Sequence, residues 1–354
     1  MINYERKTTK KIIVGNVKVG GDMPVSIQSM ATSKTDDLDS LLPELERLET
    51  GGCQIIRVTV PDNESVKSIR QIKKRISVPL VADIHFNYRL ALAAIDAGID
   101  KIRINPGNIG NKDRVKAVLK KAKAAKIPIR IGVNSGSLEK DLLEKYGHPT
   151  PEAMLESAKK HIDICRENDF EDIIISLKSS DVNLMICANR MFSEQYDYPL
   201  HLGVTEAGPA WSGTIKSCIG IGTLLAEGIG DTIRVSLTGD PVEEVRVGFA
   251  ILKSLKMAKG GVNIISCPTC GRAESDISGM VTELEQKVRD IKKNVTVAVM
   301  GCVVNGPGEA READIGVACG RGEALFFRKG ETVGKIQEQD VVERLLSEID
   351  KLSA

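Results

Sequence analysis

Three cysteines stand where thiolates could hold a metal: Cys267 and Cys270 in the CxxC Cys267-Pro268-Thr269-Cys270, and Cys302 in Gly301-Cys302-Val303-Val304-Asn305-Gly306-Pro307-Gly308-Glu309. A closed structural zinc site takes four ligands and a cubane iron–sulfur cluster usually takes four cysteines. Three thiolates therefore argue for an open or oxygen-ligated corner where a substrate can bind. The glycines and proline of the second loop would bring backbone N–H groups close to cluster sulfides, and Glu309 is near enough in sequence to offer a displaceable carboxylate. Cys319, in Ala318-Cys319-Gly320, competes for the fourth position, although its separation from Cys302 favours a thiol buried in a strand. Structural zinc stays open for the CxxC on spacing alone; the ligand number favours iron–sulfur. The chain has 8 cysteines in 354 residues, too sparse for a disulfide scaffold. Cys53, Cys165, Cys187 and Cys218 sit singly in apolar segments and are expected in the core.

A second constellation is cationic. Side chains alternate faces along a strand, so placing the aliphatic residues of each β-rich run outward fixes what points inward. Ile56, Val58 and Val60 outward leave Arg57 and Thr59 inward; Ile102 and Ile104 leave Arg103 and Asn105; Ile131 and Val133 leave Arg130 and Asn134. The same rule turns Asp83, His85, Ser176, Lys178, Thr205, Arg234 and Ser236 inward, with Glu206 just after. Any one of these arginines alone reads as a salt-bridged core residue. Together they face only Asp83 and Glu206 as candidate partners, and an unpaired buried cation costs several kcal/mol, roughly, after relaxation. An anion should complete the balance. Guanidinium forks match phosphate oxygens bidentately, which points to a diphosphate rather than a single carboxylate.

The elements that would position these residues follow a βα rhythm from Val25 to about Leu255, with a unit every 30 residues or so. The strands read as Val25 to Met30, Ile55 to Val60, Leu80 to His85, Lys101 to Asn105, Ile129 to Asn134, Ile173 to Lys178, Leu200 to Thr205 and Thr232 to Thr238. The first helix is expected over Asp36 to Glu49 behind a Thr35 cap, and a later one over Pro151 to about Asn168. Eight such units predict an α/β fold with a (β/α)8 TIM barrel, residues 1–258, whose site lies at the carboxyl ends of the strands. Residues 259–354 break the rhythm and read as a small α+β domain. A helix is expected from Ile277 to Lys293, a strand from Val295 to Met300, a strand pair around Ala324 to Phe327 and a last helix from Asp340.

Composition sets the limits. Lys plus Arg number 49 and Asp plus Glu 48, so no overall field would hold nucleic acid or an anionic membrane. No apolar run approaches the roughly 18 residues of a membrane span, and the first residues lack the apolar region of a secretory signal, so a cytoplasmic location is expected.

The chain resembles the bacterial, two-domain family of 4-hydroxy-3-methylbut-2-en-1-yl diphosphate synthases over nearly its whole length. The resemblance is carried by the two cysteine segments, extended to Gly271-Arg272 after the CxxC, and by Pro24-Val25-Ser26-Ile27-Gln28-Ser29-Met30, Ala82-Asp83-Ile84-His85-Phe86, Arg103-Ile104-Asn105-Pro106-Gly107-Asn108, Arg130-Ile131-Gly132-Val133-Asn134-Ser135-Gly136-Ser137-Leu138 and Thr205-Glu206-Ala207-Gly208. It implies a 4Fe-4S cluster on Cys267, Cys270, Cys302 and Glu309. It also implies 2-C-methyl-erythritol 2,4-cyclodiphosphate as substrate and flavodoxin or ferredoxin as electron donor. By the same resemblance Arg57, Arg103, Arg130, Asn134, Lys178, Arg234 and Ser236 hold the diphosphate. Asp83, His85, Asn105, Thr205, Glu206 and Asn305 would surround the carbon skeleton and the departing hydroxyl. Glu206 is the expected proton donor, with His85 second. A homodimer with shared sites is expected as well, because the helix after the eighth strand delivers the chain to the end of the barrel opposite the mouth. Two other readings compete: a Schiff-base aldolase using Lys178, and a non-redox barrel protein with a zinc-bearing tail.

Overall fold

The computed structural model describes residues 5–105, 112–289, 291–302, 308 and 311–352, and in them the repeated βα units close into a barrel. Its strands are β3 (Ser26–Met30), β4 (Ile55–Thr59), β5 (Leu80–Ile84), β6 (Lys101–Ile104), β7 (Ile129–Asn134), β8 (Ile173–Lys178), β9 (His201–Leu202) and β10 (Thr232–Ile233). Each runs parallel to its neighbour in the order β8-β7-β6-β5-β4-β3-β10-β9, and the parallel bridge between Ile175 and Leu200 joins the two ends. The last two strands are shorter than the alternation predicts. Past Leu202 and Ile233 the continuous ladder gives way to single backbone bonds, Arg234 N to Leu202 O at 2.9 Å and Thr238 N to Gly208 O at 3.0 Å, so Arg234 and Ser236 lie beyond it.

A hairpin that the periodicity did not reveal precedes the barrel: β1 (Ile12–Val14) and β2 (Val17–Val19), antiparallel. Its Ile12, Val14 and Val19 form one apolar cluster with Ile55, Val81 and Ile174. The latter three are first or second residues of their strands, so the hairpin seals the amino-terminal end of the barrel. Burying aliphatic side chains of this size contributes about 1.5–3 kcal/mol each, which fixes the plug.

The helices lie outside. Helix α1 (Leu38–Thr50) starts later than expected, because Asp37 rather than Thr35 is its cap: Asp37 accepts from Ser40 N, while Thr35 Oγ1 donates across to Thr59 O at 2.5 Å. A carboxylate is the better acceptor for a helix N-terminus. Helices α2 (Asn63–Ile72), α3 (Tyr88–Asp96), α4 (Lys112–Ala125) and α5 (Lys140–Tyr146) follow. Helix α6 (Pro151–Glu167) begins at its proline behind a Thr150 cap, and α7 (Val182–Gln195), α8 (Ala210–Ala226) and α9 (Pro241–Ser254) complete the ring. Cys53 and Cys165 are core residues as expected, whereas Cys187 and Cys218 are exposed, being on the outer faces of α7 and α8.

The chain divides into two compact units after Ala258, and residues 259–354 form the second. It is a five-stranded sheet ordered β11 (Val262–Ser266), β12 (Val295–Met300), β13 (Ile315–Cys319), β14 (Glu323–Arg328), β15 (Glu331–Gln337), parallel over the first three and antiparallel after. Helix α10 (Ile277–Val288) is a turn shorter than expected, since Ile291 N turns back to Val288 O. Together with α11 (Val341–Lys351) it covers a core that includes Leu284, Val297, Val317, Phe326 and Leu345.

Candidate active site

The outer faces of the barrel strands pack as the alternation requires. Ile56, Val58, Ile102, Ile104, Ile131, Val133, Ile175 and Leu177 all belong to the core between strands and helices. Their neighbours Arg57, Arg103, Arg130 and Lys178 are therefore turned inward, and all four are buried, Arg130 to 2% exposure. Asp83 takes two of them: its Oδ1 accepts from Arg103 Nη1 at 3.0 Å and its Oδ2 lies 3.7 Å from Arg57 Nε. Arg57 also directs Nε and Nη2 at the Met30 sulfur, 3.1 and 2.7 Å away. Arg130 Nη1 donates to Ser176 Oγ at 2.5 Å.

Two expectations about charge partners need correction. Glu206 is exposed at the rim and is no partner of these cations in any ion pair among the described residues; its backbone sits at φ +50°, a conformation costing a non-glycine residue about 1–3 kcal/mol and concentrated at functional positions. The second carboxylate is instead Glu244 of α9, 3.3 Å from Arg234 Nη2 and also accepting from Ser29 Oγ and Leu237 N. A helix residue reaching back to a strand end was invisible to an argument confined to strands.

The electrostatics follow from this crowding. Burial, only partly offset by Asp83, brings Arg57 down to about 10. Burial and then the neighbouring arginines push Lys178 well below the usual lysine range, and Arg130 is lowered likewise. Burial alone would raise the Asp83 carboxyl, but Arg57 and Arg103 hold it below the ordinary carboxylate range. Among the described residues only Asp83 and Glu244 pair with these cations, leaving capacity for a polyanion.

Two glycines make the space. A Cβ on Gly132 would stand 2.8 Å from Arg103 Nε; one on Gly203 would stand 2.7 Å from Lys178 Nζ and 2.4 Å from Arg234 O. Arg103 can swing aside, but the Arg234 carbonyl is backbone. Gly203→Ala is expected to weaken binding of the anionic ligand at least tenfold, about 1.4 kcal/mol, with Gly132→Ala milder; titration calorimetry on both checks the ranking.

The remaining predicted residues stand near the carboxyl ends. His85 is exposed at the rim with Nε2 3.3 Å from Arg103 Nη1. Asn105 is buried, whereas Asn134, Thr205 and Ser236 are half-buried. Ser179, which the strand alternation did not single out, links two of these loops: its Oγ accepts from Ser135 Oγ at 3.0 Å and its carbonyl from Thr205 N at 3.1 Å.

In the second unit, the parallel ladder of β11 on β12 sets Ser266 beside Val299, so Cys267 and Cys302 leave adjacent strand ends. A Cβ on Gly301 would lie 3.3 Å from Cys267 Sγ, which places the residue before Cys302 against that sulfur. Cys267 Sγ accepts from Thr269 N at 3.3 Å, and Thr269 is held at φ +53°. The Arg272 backbone N–H and guanidinium lower the exposed Cys270 thiol, favouring the thiolate a metal needs. Cys319 is buried in β13 and burial pushes it up to about 11, which unsuits it as a ligand. Among the described residues no three His, Cys, Asp or Glu side chains converge at metal-binding distance. Asn305 and Glu309 lie outside the described residues.

Fold and site define a TIM-barrel protein with a cationic interior, followed by an α+β unit that carries a cysteine cluster. Residues 9–249 match the GcpE TIM-barrel domain and residues 263–351 the GcpE protein C-terminal domain. The chain is 58% identical over 347 residues to the 4-hydroxy-3-methylbut-2-en-1-yl diphosphate synthase (flavodoxin) of Clostridium perfringens, covering 98% of this chain and 99% of that one. It is 54% identical to the enzyme of the same name from Geobacter sulfurreducens, with 98% of each covered. Among solved structures, dihydropteroate synthase from Stenotrophomonas maltophilia is similar at a TM-score of 0.52 and 13% identity, over 70% of this chain and 97% of that one, which concerns the barrel fold alone. The chain belongs to the GcpE family.

Proposed function

We propose that this oxidoreductase opens the ring of 2-C-methyl-D-erythritol 2,4-cyclodiphosphate and removes a hydroxyl, yielding 4-hydroxy-3-methylbut-2-enyl diphosphate for non-mevalonate isoprenoid synthesis. The observation that carries this reading is the barrel interior, whose buried arginines and lysine outnumber the carboxylates available to them. In this assignment Arg57, Arg103, Arg130, Asn134, Lys178, Arg234 and Ser236 hold the two phosphates, and Asp83 keeps the forks of Arg57 and Arg103 aimed. His85, Asn105, Thr205 and Asn305 surround the carbon skeleton. Glu206, held at the rim in a strained backbone, delivers the proton with which the hydroxyl leaves as water, and His85 is the alternate donor.

The second unit fits a 4Fe-4S cluster: adjacent loops carry Cys267, Cys270 and Cys302, the Cys270 thiol is lowered by Arg272, and Glu309 supplies the oxygen ligand. Bound there, the cluster supplies single electrons and a Lewis-acidic iron. Flavodoxin, named with the relatives, is the inferred donor, ferredoxin the alternative. We also infer a homodimer with shared sites, supported by the exposed stripe of Trp211, Ile215 and Ile219 at helical spacing on α8. The inferred setting is cytoplasmic; no helix among the described residues is long and apolar enough to cross a membrane. Net charge of +1 gives no basis for a nucleic-acid partner.

Anaerobic reconstitution with iron and sulfide, followed by the absorption spectrum and turnover of the cyclodiphosphate with reduced flavodoxin, tests this reading. The expected result is a brown protein that forms the linear diphosphate. A colourless, zinc-loaded protein, or a brown one inert towards the cyclodiphosphate, would refute it.

A further inference from the structure

Below the arginines lies a group of buried polar side chains with no part in the reading above. Lys101, on β6, is fully buried, and its Nζ reaches across the barrel to a neutral acceptor, Gln28 Oε1 of β3, at 3.0 Å. It takes part in no ion pair among the described residues. The adjacent strands β9, β10 and β3 set His201, Thr232 and Ser26 in one row, in register. Leu202, Ile233 and Ile27 pack outward, so these three face the interior, and all are buried. Ser26 Oγ, Thr232 Oγ1, Gln28 Nε2 and both His201 ring nitrogens have no protein partner among the described residues. Buried polar atoms without a protein partner are the usual seats of ordered water, which would give protons a medium inside the barrel.

The cations whose charge acts on Lys101 are Arg130 and Arg57, and other titratable groups line the same chamber. From β4 comes Arg57, from β7 Arg130, from β8 Lys178 and from β9 His201; the Asp83 carboxylate of β5 is already engaged by Arg57 and Arg103. An ammonium held by a single amide oxygen beside these cations is unfavourable; burial and then Arg130 and Arg57 lower Lys101 well below the usual lysine range. The same forces, burial first, hold His201 well below the usual imidazole range. A polyanion seated on Arg57 and Arg130 reverses the field at Lys101 without touching it.

We propose that Lys101 is a charge-adjusting residue, an uncharged amine while the barrel is empty that takes up one proton from solvent when the anionic substrate binds. The inference rests on the diphosphate reading above. Each phosphorus of a cyclic diphosphate carries a single, strongly acidic oxygen, so the ligand takes no proton near neutral pH and any uptake belongs to the protein. The sign follows from linkage. A group whose value rises on binding strengthens binding as pH falls, by up to about tenfold per pH unit between its empty and occupied values.

The test is calorimetric titration of the oxidised holoenzyme with the cyclodiphosphate, in buffers of different ionisation enthalpy, for the wild type and for Lys101→Met and Lys101→Arg. The wild type should bind with uptake of about one proton more than either variant, Lys101→Arg keeping the tighter binding because its charge is permanent. Binding with unchanged uptake in either variant overturns the proposal and points to Lys178. Absence of any binding heat would instead defeat the diphosphate reading itself. Should neither variant fold, the ε-carbon resonance of Lys101 in the 13C-lysine-labelled wild type decides: a shift to the ammonium position on adding ligand supports the proposal, and no shift overturns it.

Discussion

Cys267→Ser, Cys270→Ser and Cys302→Ser are each expected to lose the brown absorbance and measurable turnover. A serine hydroxyl is a poor ligand for the soft iron–sulfide core, and three thiolates leave no spare ligand. The informative control is Cys319→Ser. That thiol lies in the core of β13, so the change should cost stability, about 1–3 kcal/mol for a poorly satisfied hydroxyl, yet leave the spectrum intact. Colour and stability are thus expected to separate: the first three variants lose colour, the fourth loses melting temperature. Full colour in any of the first three, measured by iron and sulfide content beside the spectrum, removes that cysteine from the ligand set.

Asp83→Asn is expected to be the most damaging change inside the barrel. Asp83 is the carboxylate that both Arg57 and Arg103 contact, and removing it leaves buried charges uncompensated, at a cost of roughly 3–5 kcal/mol. The pH dependence has a definite sign. The folded-state value is depressed, so the contribution of Asp83 is complete above the ordinary carboxylate range and is lost as pH falls through the depressed value. Wild type and variant should therefore differ most at neutral pH and converge only in acid. The variant should also be stabilised by added pyrophosphate more than the wild type is, since the anion supplies the missing charge. Thermal melts across pH, with and without pyrophosphate, check both parts. Equal melting at neutral pH would mean that the guanidinium groups are held by something other than this carboxylate.

The strands β4 to β8 were legible because aliphatic residues alternate cleanly there, and the alternation also assigned Arg57, Arg103, Arg130 and Lys178 to the interior. The same pattern overran at β9 and β10. It continues through Val204 and Val235, both buried, but burial against helices does not require a ladder, and the continuous pairing breaks where the two strands crowd at Gly203. Nothing in the sequence marked Lys101, because a lysine at the first position of a strand usually snorkels outward. Its burial depends on Gln28, which is 73 residues away in sequence and carries no signal of its own. Glu244 was missed for a related reason: the α9 face that carries it looks like any charged helix surface until the fold sets it beside Arg234. The CxxC and the Cys302 loop were plain as motifs, whereas their proximity comes from the parallel pairing of β11 with β12, a long-range contact that local spacing cannot report.

The β1–β2 hairpin has a consequence for traffic through the barrel. With Ile12, Val14 and Val19 packed into its amino-terminal end, access to the interior among the described residues is from the carboxyl ends of the strands. In the reaction proposed above, reactant and product would use that opening in turn, and both would present a diphosphate to the same arginines. Departure of the product therefore competes directly with the next arrival, and accumulated product should act as a simple competitive inhibitor of its own formation.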